Sequence, residues 1–441
     1  MSPRDARLLP GHEPVVPVRQ FLFLQGPISP YFAEVGAGLA ALGHGVHRIN
    51  LTLGDRLFWR ACRVAPASVD FTGRGEDWPA FIAGFLDRHG ITDVILLGEQ
   101  RALHKDAAEA ARARGATVTV TDFGYFRPDW ITLERDAMGA DSHFPRDPAA
   151  IRALAAGLPP ADLVERLRDP FWRLAAWDVA YHVANLLPAR RFRHYRSHHL
   201  HHPLATYAGM ARRLLRRRGE RAEGARIVEM LAGQPFWVFA MQMETDFSIR
   251  AYSRYSDMDT PVAETVRSFA HHAPPDAHLV VKVHPLDPCL KRWSRRLPAI
   301  AEAAGVGRRV HVAHHGPLDL MLGGARGMVT VNSTVGLRAI VLGCPTKALG
   351  RAVWDVKGLA HQGPLDHFWA EAAPPDPDLR ADFLAALQAT TQLRGVFYAP
   401  EGRAVAVAET VRRLHEGRVG VPGAMLAEVS PGRASASPSP D

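Results

Sequence analysis

The chain reads as an α/β protein built of two Rossmann-like halves that face each other across a cleft. Three observations predict this. Short apolar runs alternate with helical stretches from residue 20 to about 400, the pattern of repeated βαβ units. Many of those runs end in a polar or glycine-bearing turn, and ligands collect at such tips of a parallel sheet. The alternation is interrupted once, by a helical segment rich in Trp and Arg over residues 148–223.

The first half opens with QFLFLQGPISPYFAEVGAGLAALGHGVHRINL. Residues 21–24 are a strand, Gln25-Gly26-Pro27 a tight turn, residues 30–42 a helix closed by Gly43, and residues 46–51 the next strand. A third strand over 93–100 leads into a helix over 103–114, and a fourth, ATVTVTDFGYF, follows Gly115. The tips of this sheet are Gln25, Asn50, Gly98-Glu99 and residues 122–124. The second half starts near Pro235 with FWVFAMQMETDFSIRAYS and continues through a helix over 260–273 and strands over 278–287 and 309–315. It then reaches MVTVNSTVGLRAIVLGCPTKALG: a strand over 328–331, a polar turn, a helix over 335–342, a Gly-Cys-Pro exit and another strand. The expected units are 18–150, a basic helical linker over 151–225, 226–400, a helix over 401–420 that crosses back onto the first half, and a disordered tail over 421–441.

Bulk composition narrows the class. A length of 441 residues gives room for two domains, and 47% hydrophobic with 22% charged residues is ordinary for a globular protein. Cys62, Cys289 and Cys344 lie far apart, without metal or redox spacing, which fits a reducing compartment. The N-terminal stretch lacks an apolar signal core, and no apolar run is long enough to span a bilayer, so a soluble or peripheral protein is expected. A net charge of +8 favours anionic partners.

Basic residues concentrate between Arg190 and Arg226. Arg212, Arg213, Arg216 and Arg217 share a helical pattern with Leu204, Tyr207, Met210, Leu214 and Leu215, which reads as a basic amphipathic helix on a membrane face. A solvated interdomain helix is the alternative. No nucleic-acid motif accompanies the charge, so nucleic acid is not an expected partner. His198, His199, His201 and His202 read as a flexible basic loop. No carboxylate or cysteine beside them has ligand spacing, so no metal is expected there.

Several tips carry chemistry. A strand ending in Asn332-Ser333-Thr334 and running into a helix makes an anion site, because the first helical N–H groups are unpaired and the hydroxyls add donors. An ordinary capped helix has the same signature. His284-Pro285 ends a strand, with Lys282 two residues earlier on the same face; a histidine there bonds a phosphate oxygen or protonates it as it departs. Gln242, Glu244 and Asp246 alternate after a strongly apolar strand and are expected on one face. Asp122 at a strand end is a candidate base or nucleophile at an anomeric carbon. Arg127 offers a fork for a carboxylate. Glu134 lies downstream, and Glu99 and Gln25 sit at neighbouring tips.

Two Rossmann-like halves across a cleft is the glycosyltransferase-B arrangement. The stretches quoted above, with GDRLFW, GYFRPDWITLERD, VVKVHPLD and GPLDLMLGGARG, resemble capsule polysaccharide biosynthesis proteins of the KpsS type, bacterial β-Kdo transferases. The resemblance runs from Gln20 to about Tyr398. It implies a cytoplasmic enzyme, peripheral on the inner membrane of a Gram-negative bacterium, that moves Kdo from CMP-Kdo to a phosphatidylglycerol-type lipid and starts the poly-Kdo linker of an exported capsule. It also implies contact with a chain-extending Kdo transferase and the capsule export machinery.

By similarity to the CMP-sialic acid transferases, His284, Ser333 and Thr334 hold the CMP phosphate, with Lys282, Asn332, Gln242, Glu244 and Asp246 on the donor side. Asp122 is then the reactive carboxylate. Phe123 stands where related chain-extending enzymes carry a second acidic residue, so Glu244 and Asp246 stay beside Asp122 as candidates. Arg127 takes the Kdo carboxylate, and Gln25, Glu99 and Glu134 line the acceptor side. The expected chemistry is net retention without metal or cofactor. The alternatives are a non-catalytic accessory protein of capsule assembly or export, a binding module for anionic lipid or polymer, and a transferase for a different nucleotide sugar.

Overall fold

The computed structural model describes residues 17–186, 190–196 and 200–420. In the first half, strands β1 (Gln20–Phe23), β2 (Gly45–Asn50), β3 (Val69–Asp70), β4 (Asp93–Leu97), β5 (Thr117–Phe123) and β6 (Trp130–Arg135) follow one another. The second half contributes β7 (Phe236–Ala240), β8 (His278–Lys282), β9 (Val310–Ala313), β10 (Gly327–Thr330), β11 (Thr346–Ala348) and β12 (Gln392–Arg394). Two sheets result, in the orders β12-β6-β5-β4-β1-β2-β3 and β11-β10-β7-β8-β9. The second sheet is parallel throughout; in the first, only the β5–β6 and β6–β12 pairs are antiparallel. Each sheet reverses its strand order beside its first strand, at β1/β4 and at β7/β10, and open α/β sheets bind ligands at the tips there.

The near-continuous apolar runs are explained by burial on both faces. Leu22 and Leu24 pack with Trp78, Ile82 and Phe85 on one side of the first sheet, while Phe21 and Phe23 pack with Tyr31, Phe32 and Phe397 on the other. The second sheet is sandwiched alike, with Trp237 and Phe239 on one face and Val238 and Ala240 on the other. A third layer joins the halves: Tyr125, Phe126 and Trp130 share a core with Leu337, Ile340, Trp354, Phe383 and Leu387.

Two boundaries differ from the sequence reading. The segment WITLER, to which the sequence reading assigned no element, is strand β6, paired antiparallel with β5. Residues 392–394, assigned to the second half, form β12 and pair with β6 in the first sheet. The chain therefore returns to the first half before the last helix, Pro400–His415. That helix lies on the helix Tyr31–Ala41, tied by the Tyr31 hydroxyl to Thr410 at 2.6 Å and by Arg403 to Glu34 at 2.8 Å. The expected tail over 421–441 lies outside the described residues, as do His198 and His199.

The basic helix also differs. It runs Pro203–Met230, but its apolar and basic sides are not those expected. Arg213 is only 4% exposed, whereas Leu214 and Leu215 are 54% and 87% exposed. Arg213 is therefore not membrane-facing. Its guanidinium donates to the carbonyls of His284 (2.8 Å), Asp287 (2.6 Å) and His314 (2.9 Å). Gly209 and Gly224 let the helix approach those turns, since a Cβ would meet the carbonyl of Pro288 at 2.3 Å and that of His315 at 2.0 Å. Arg216 and Arg217 are exposed, and Arg212 is half-buried with a bond to the Cys289 carbonyl at 2.7 Å.

Candidate functional site

The β7 and β10 tips are fastened to each other at the strand-order reversal of the second sheet. The Gln242 amide donates to Asn332 Oδ1 at 2.8 Å and to Ser248 Oγ at 3.0 Å, and Gln242 Oε1 accepts the Asn332 N–H at 2.9 Å. Asn332 Nδ2 donates to the Ser248 carbonyl at 2.8 Å. Both amides are thus occupied in holding the tips together, and Ser248, which sequence reasoning missed, is the third member. Asp246 caps the short helix Phe247–Tyr252 by accepting the Ser248 N–H at 2.9 Å.

Immediately after Asn332, Ser333 caps the helix Thr334–Val341, accepting the Val335 N–H at 3.2 Å. The Ser333 carbonyl takes the Trp354 indole N–H at 3.0 Å, and Gly336 lies flat against the same ring. The first turn of this helix is therefore held rigidly from behind. Ser333 and Thr334 remain half-buried at its N-terminus, where the helix dipole favours an anion, although the Val335 and Gly336 N–H groups are taken by the Ser333 hydroxyl and carbonyl.

His284 follows β8, with its Nδ1 accepting the Leu286 N–H at 3.1 Å. Burial, then the Arg127 guanidinium, hold its pKa down at about 4. The ring is therefore neutral near pH 7, with its proton on Nε2, a hydrogen-bond donor toward a ligand oxygen. Asp122 sits at the end of β5, half-buried, and its carboxyl is pushed up chiefly by burial. Arg127 and Arg101 oppose that rise, while Asp246 adds to it. His284 likewise feels Arg127 and Asp246. Asp122 and Arg127 of the first half and Asp246 and His284 of the second thus share one electrostatic environment.

The other expected residues go elsewhere. Glu244 does not share a face with Gln242 and Asp246. The strand ends at Ala240, so alternation no longer applies, and Glu244 pairs with Lys291, which also bridges to Asp259. Lys282 is buried, its amine donating to the carbonyls of Val283 (3.1 Å) and His314 (3.3 Å). Burial lowers its pKa to about 8.

Gln25 is buried on the first sheet, its amide 3.1 Å from Asp55 Oδ2 and 3.3 Å from the Tyr181 hydroxyl. Asp55 is in turn fixed by a reciprocal cap with Thr52, a T-x-x-D spacing visible in the sequence. Glu134 is enclosed: the Tyr125 hydroxyl donates to it at 2.6 Å and the Ser142 hydroxyl to its other oxygen. Burial pushes its pKa up to about 7. Glu99 takes a hydrogen bond from Tyr252 of the opposite half, and burial raises its pKa. Among the described residues no cluster of His, Cys, Asp or Glu has metal-binding spacing, and no helix is long and apolar enough to cross a membrane.

Residues 92–398 match the capsule polysaccharide biosynthesis protein family. The chain is 28% identical over 383 residues to the capsule polysaccharide export protein KpsS of Escherichia coli, covering 86% of this chain and 97% of that one. It is 29% identical over 390 residues to the capsule polysaccharide modification protein LipB of Neisseria meningitidis serogroup B, covering 86% and 91%. Among solved structures it is similar to the Thermosulfurimonas dismutans KpsC beta Kdo 2,7 transferase, at 13% identity and a TM-score of 0.43 over 89% of this chain and 99% of that one.

Proposed function

The chain belongs to the capsule polysaccharide biosynthesis protein family, and we propose that it is a glycosyltransferase moving Kdo from CMP-Kdo to a phosphatidylglycerol-type lipid. What supports this reading is that Asp122 and His284, from opposite halves, both lie within electrostatic reach of Arg127 and Asp246. A transferase needs a carboxylate, a carboxylate-binding cation and a phosphate donor set within one site, and in this reading Asp122, Arg127 and His284 with the N-terminus of the helix Thr334–Val341 take those roles.

CMP-β-Kdo to β-Kdo product is net retention. Asp122 attacks the anomeric carbon, and the bond to the CMP phosphate oxygen breaks with its electron pair going to the phosphate. His284 Nε2–H, the Ser333 and Thr334 hydroxyls and the helix N-terminus stabilise the charge that develops there. A lipid hydroxyl then attacks from the opposite face, loses its proton, and returns the Asp122 carboxylate. Asp246 is the alternative nucleophile and otherwise the base for that proton. Arg127 holds the sugar carboxylate. Glu244, neutralised by Lys291, takes no part in bond making.

In this reading the protein works in the cytoplasm at the inner membrane, alongside a chain-extending Kdo transferase and the export machinery. The test is mass spectrometry of a fluorescent phosphatidylglycerol analogue incubated with CMP-Kdo and the protein, beside Asp122→Asn and His284→Ala. One added Kdo, lost in Asp122→Asn and reduced in His284→Ala, is the expected result. No addition across varied detergents, with CMP still bound, would shift the reading to another nucleotide sugar. No CMP binding at all would leave the accessory role.

A further inference from the structure

The arginines of the long helix do not form a flat charged face. Arg212, Arg213 and Arg216 join Arg292, Arg295 and His314 around one cavity of about 600 Å3, between the helix Pro203–Met230 and the chain at 289–295. Glu220 and Glu223 share the lining, so five guanidinium groups face two carboxylates, an excess of three positive charges. Arg216, Arg292 and Arg295 have no ion-pair partner among the described residues.

The floor is built from buried polar groups, with Arg213 Nη1 and Nη2 already bonded to three carbonyls. Arg213 is 4% exposed and His314 7% exposed, and both line the cavity. Arg213 Nε, Glu220 Oε2 and His314 Nδ1 make no hydrogen bond and are closed off from solvent. The nearest carboxylate oxygen to Arg213 Nε is that of Glu220, at 3.7 Å. Guanidinium forks converging from two elements match the oxygen array of a phosphate ester.

The rim indicates which phosphate. Leu215 lines the mouth at 87% exposure, and Leu214 beside it is 54% exposed. A water-soluble anion gains nothing from two bare leucines beside its site. A lipid does, because leucines at headgroup depth enter the acyl boundary. We infer that this cavity binds the phosphodiester headgroup of an anionic phospholipid, with Arg213 and His314 at its floor, Arg292 and Arg295 at its rim, and Leu214 and Leu215 in the acyl layer. The choice of lipid rests on the acceptor class in the proposed function. Because Arg213 also holds the carbonyl of His284, the cavity backs directly onto the donor-side turn.

The test uses the full chain without donor sugar. Dihexanoyl phosphatidylglycerol, below its micelle concentration, is titrated by calorimetry and by the fluorescence of Trp293, which also lines the cavity. Parallel titrations use inorganic phosphate and CMP. Arg292→Ala/Arg295→Ala removes two exposed rim cations, so folding is spared; Arg218→Ala/Arg221→Ala removes two exposed cations of the same helix outside the lining. The lipid should bind at least about tenfold more weakly to the rim variant, and the control should stay within about twofold of the parent. Equal losses in both variants would overturn the inference in favour of a diffuse charged surface. Inorganic phosphate binding as tightly as the lipid would make this a free-anion site, and weakened CMP binding in the rim variant would make it a nucleotide site. Lipid binding that depends on the rim in a protein that transfers no sugar would refute the proposed function and leave the cavity standing. Sugar transfer to lipid that is indifferent to the rim would do the reverse.

Discussion

The backbone N–H of Leu286 donates to Nδ1 of His284 at 3.1 Å and so decides the tautomer of that ring. With Nδ1 engaged as acceptor and the imidazole held neutral by burial, Nε2–H is a donor at neutral pH and not a store of acid.

His284→Ala should therefore lower kcat by about 10²–10³, the usual cost of losing one donor to a developing oxyanion. His284→Gln, whose amide N–H reaches nearly as far as Nε2, should recover a substantial part of that. The pH profile of kcat/KM, which reports the free enzyme, should show no limb from His284 between pH 5 and 8. A limb near pH 6.5 that vanishes in His284→Gln would contradict the donor role.

Gly336→Ala tests the wall behind the proposed anion site. A Cβ there would meet the Trp354 ring at 2.0 Å, so the ring or the helix Thr334–Val341 must move. The expected cost is about 1–3 kcal/mol in chemical denaturation, with weaker CMP binding because Trp354 also holds the Ser333 carbonyl. Trp354→Leu added to Gly336→Ala should recover part of the stability but not the CMP affinity, since the indole N–H is lost.

The strands and most helices were legible because apolar runs covered on both faces leave a strong local pattern, as residues 20–24 and 93–97 do. β12 has three residues, too few to carry a period, and its pairing with β6 is non-local. Glu244 was misread because the alternation rule was extended beyond the end of β7 at Ala240. Arg213 was misread because charge is normally turned outward; here three carbonyls satisfy it inside while Leu214 and Leu215 face out. The partners of Glu134 and Gln25 come from later turns and helices of the chain, Ser142 and Tyr181, which no local spacing announces.

Glu134 makes stability depend on pH. Its folded pKa is about 7 against an ordinary 4.5, so the unfolded chain loses this proton first as pH rises. The contribution is full below about pH 4.5 and is lost as pH rises through about 7. Glu134→Gln cannot ionise, so its stability relative to the parent should improve from pH 5 to pH 8, by about 1–3 kcal/mol. Melting temperatures across that range check the sign. Parallel pH profiles for the two proteins would show that Glu134 ionises normally in the fold.

Tyr252→Phe tests what holds the halves together. The Tyr252 hydroxyl donates to Glu99, an interaction that joins a tip of the first sheet to the helix Phe247–Tyr252 of the second half. The aromatic ring still packs after the change, and Arg351–Asp141 at 2.9 Å and the shared core around Trp354 persist, so neither half should unfold. What is lost is the donor to a buried carboxyl, at a cost of about 1–3 kcal/mol. Because that cost falls on one contact between the halves, it should appear as local opening before global unfolding. Amide exchange should quicken around residues 97–100 and 249–253 while the strands β1 and β8 stay protected. If the proposed function holds, the same variant should raise KM for the nucleotide sugar more than it lowers kcat, since the proposed donor side would meet Asp122 and Arg127 only when the halves are in register. Unchanged exchange at both tips would mean that the shared core alone sets the relation of the two halves.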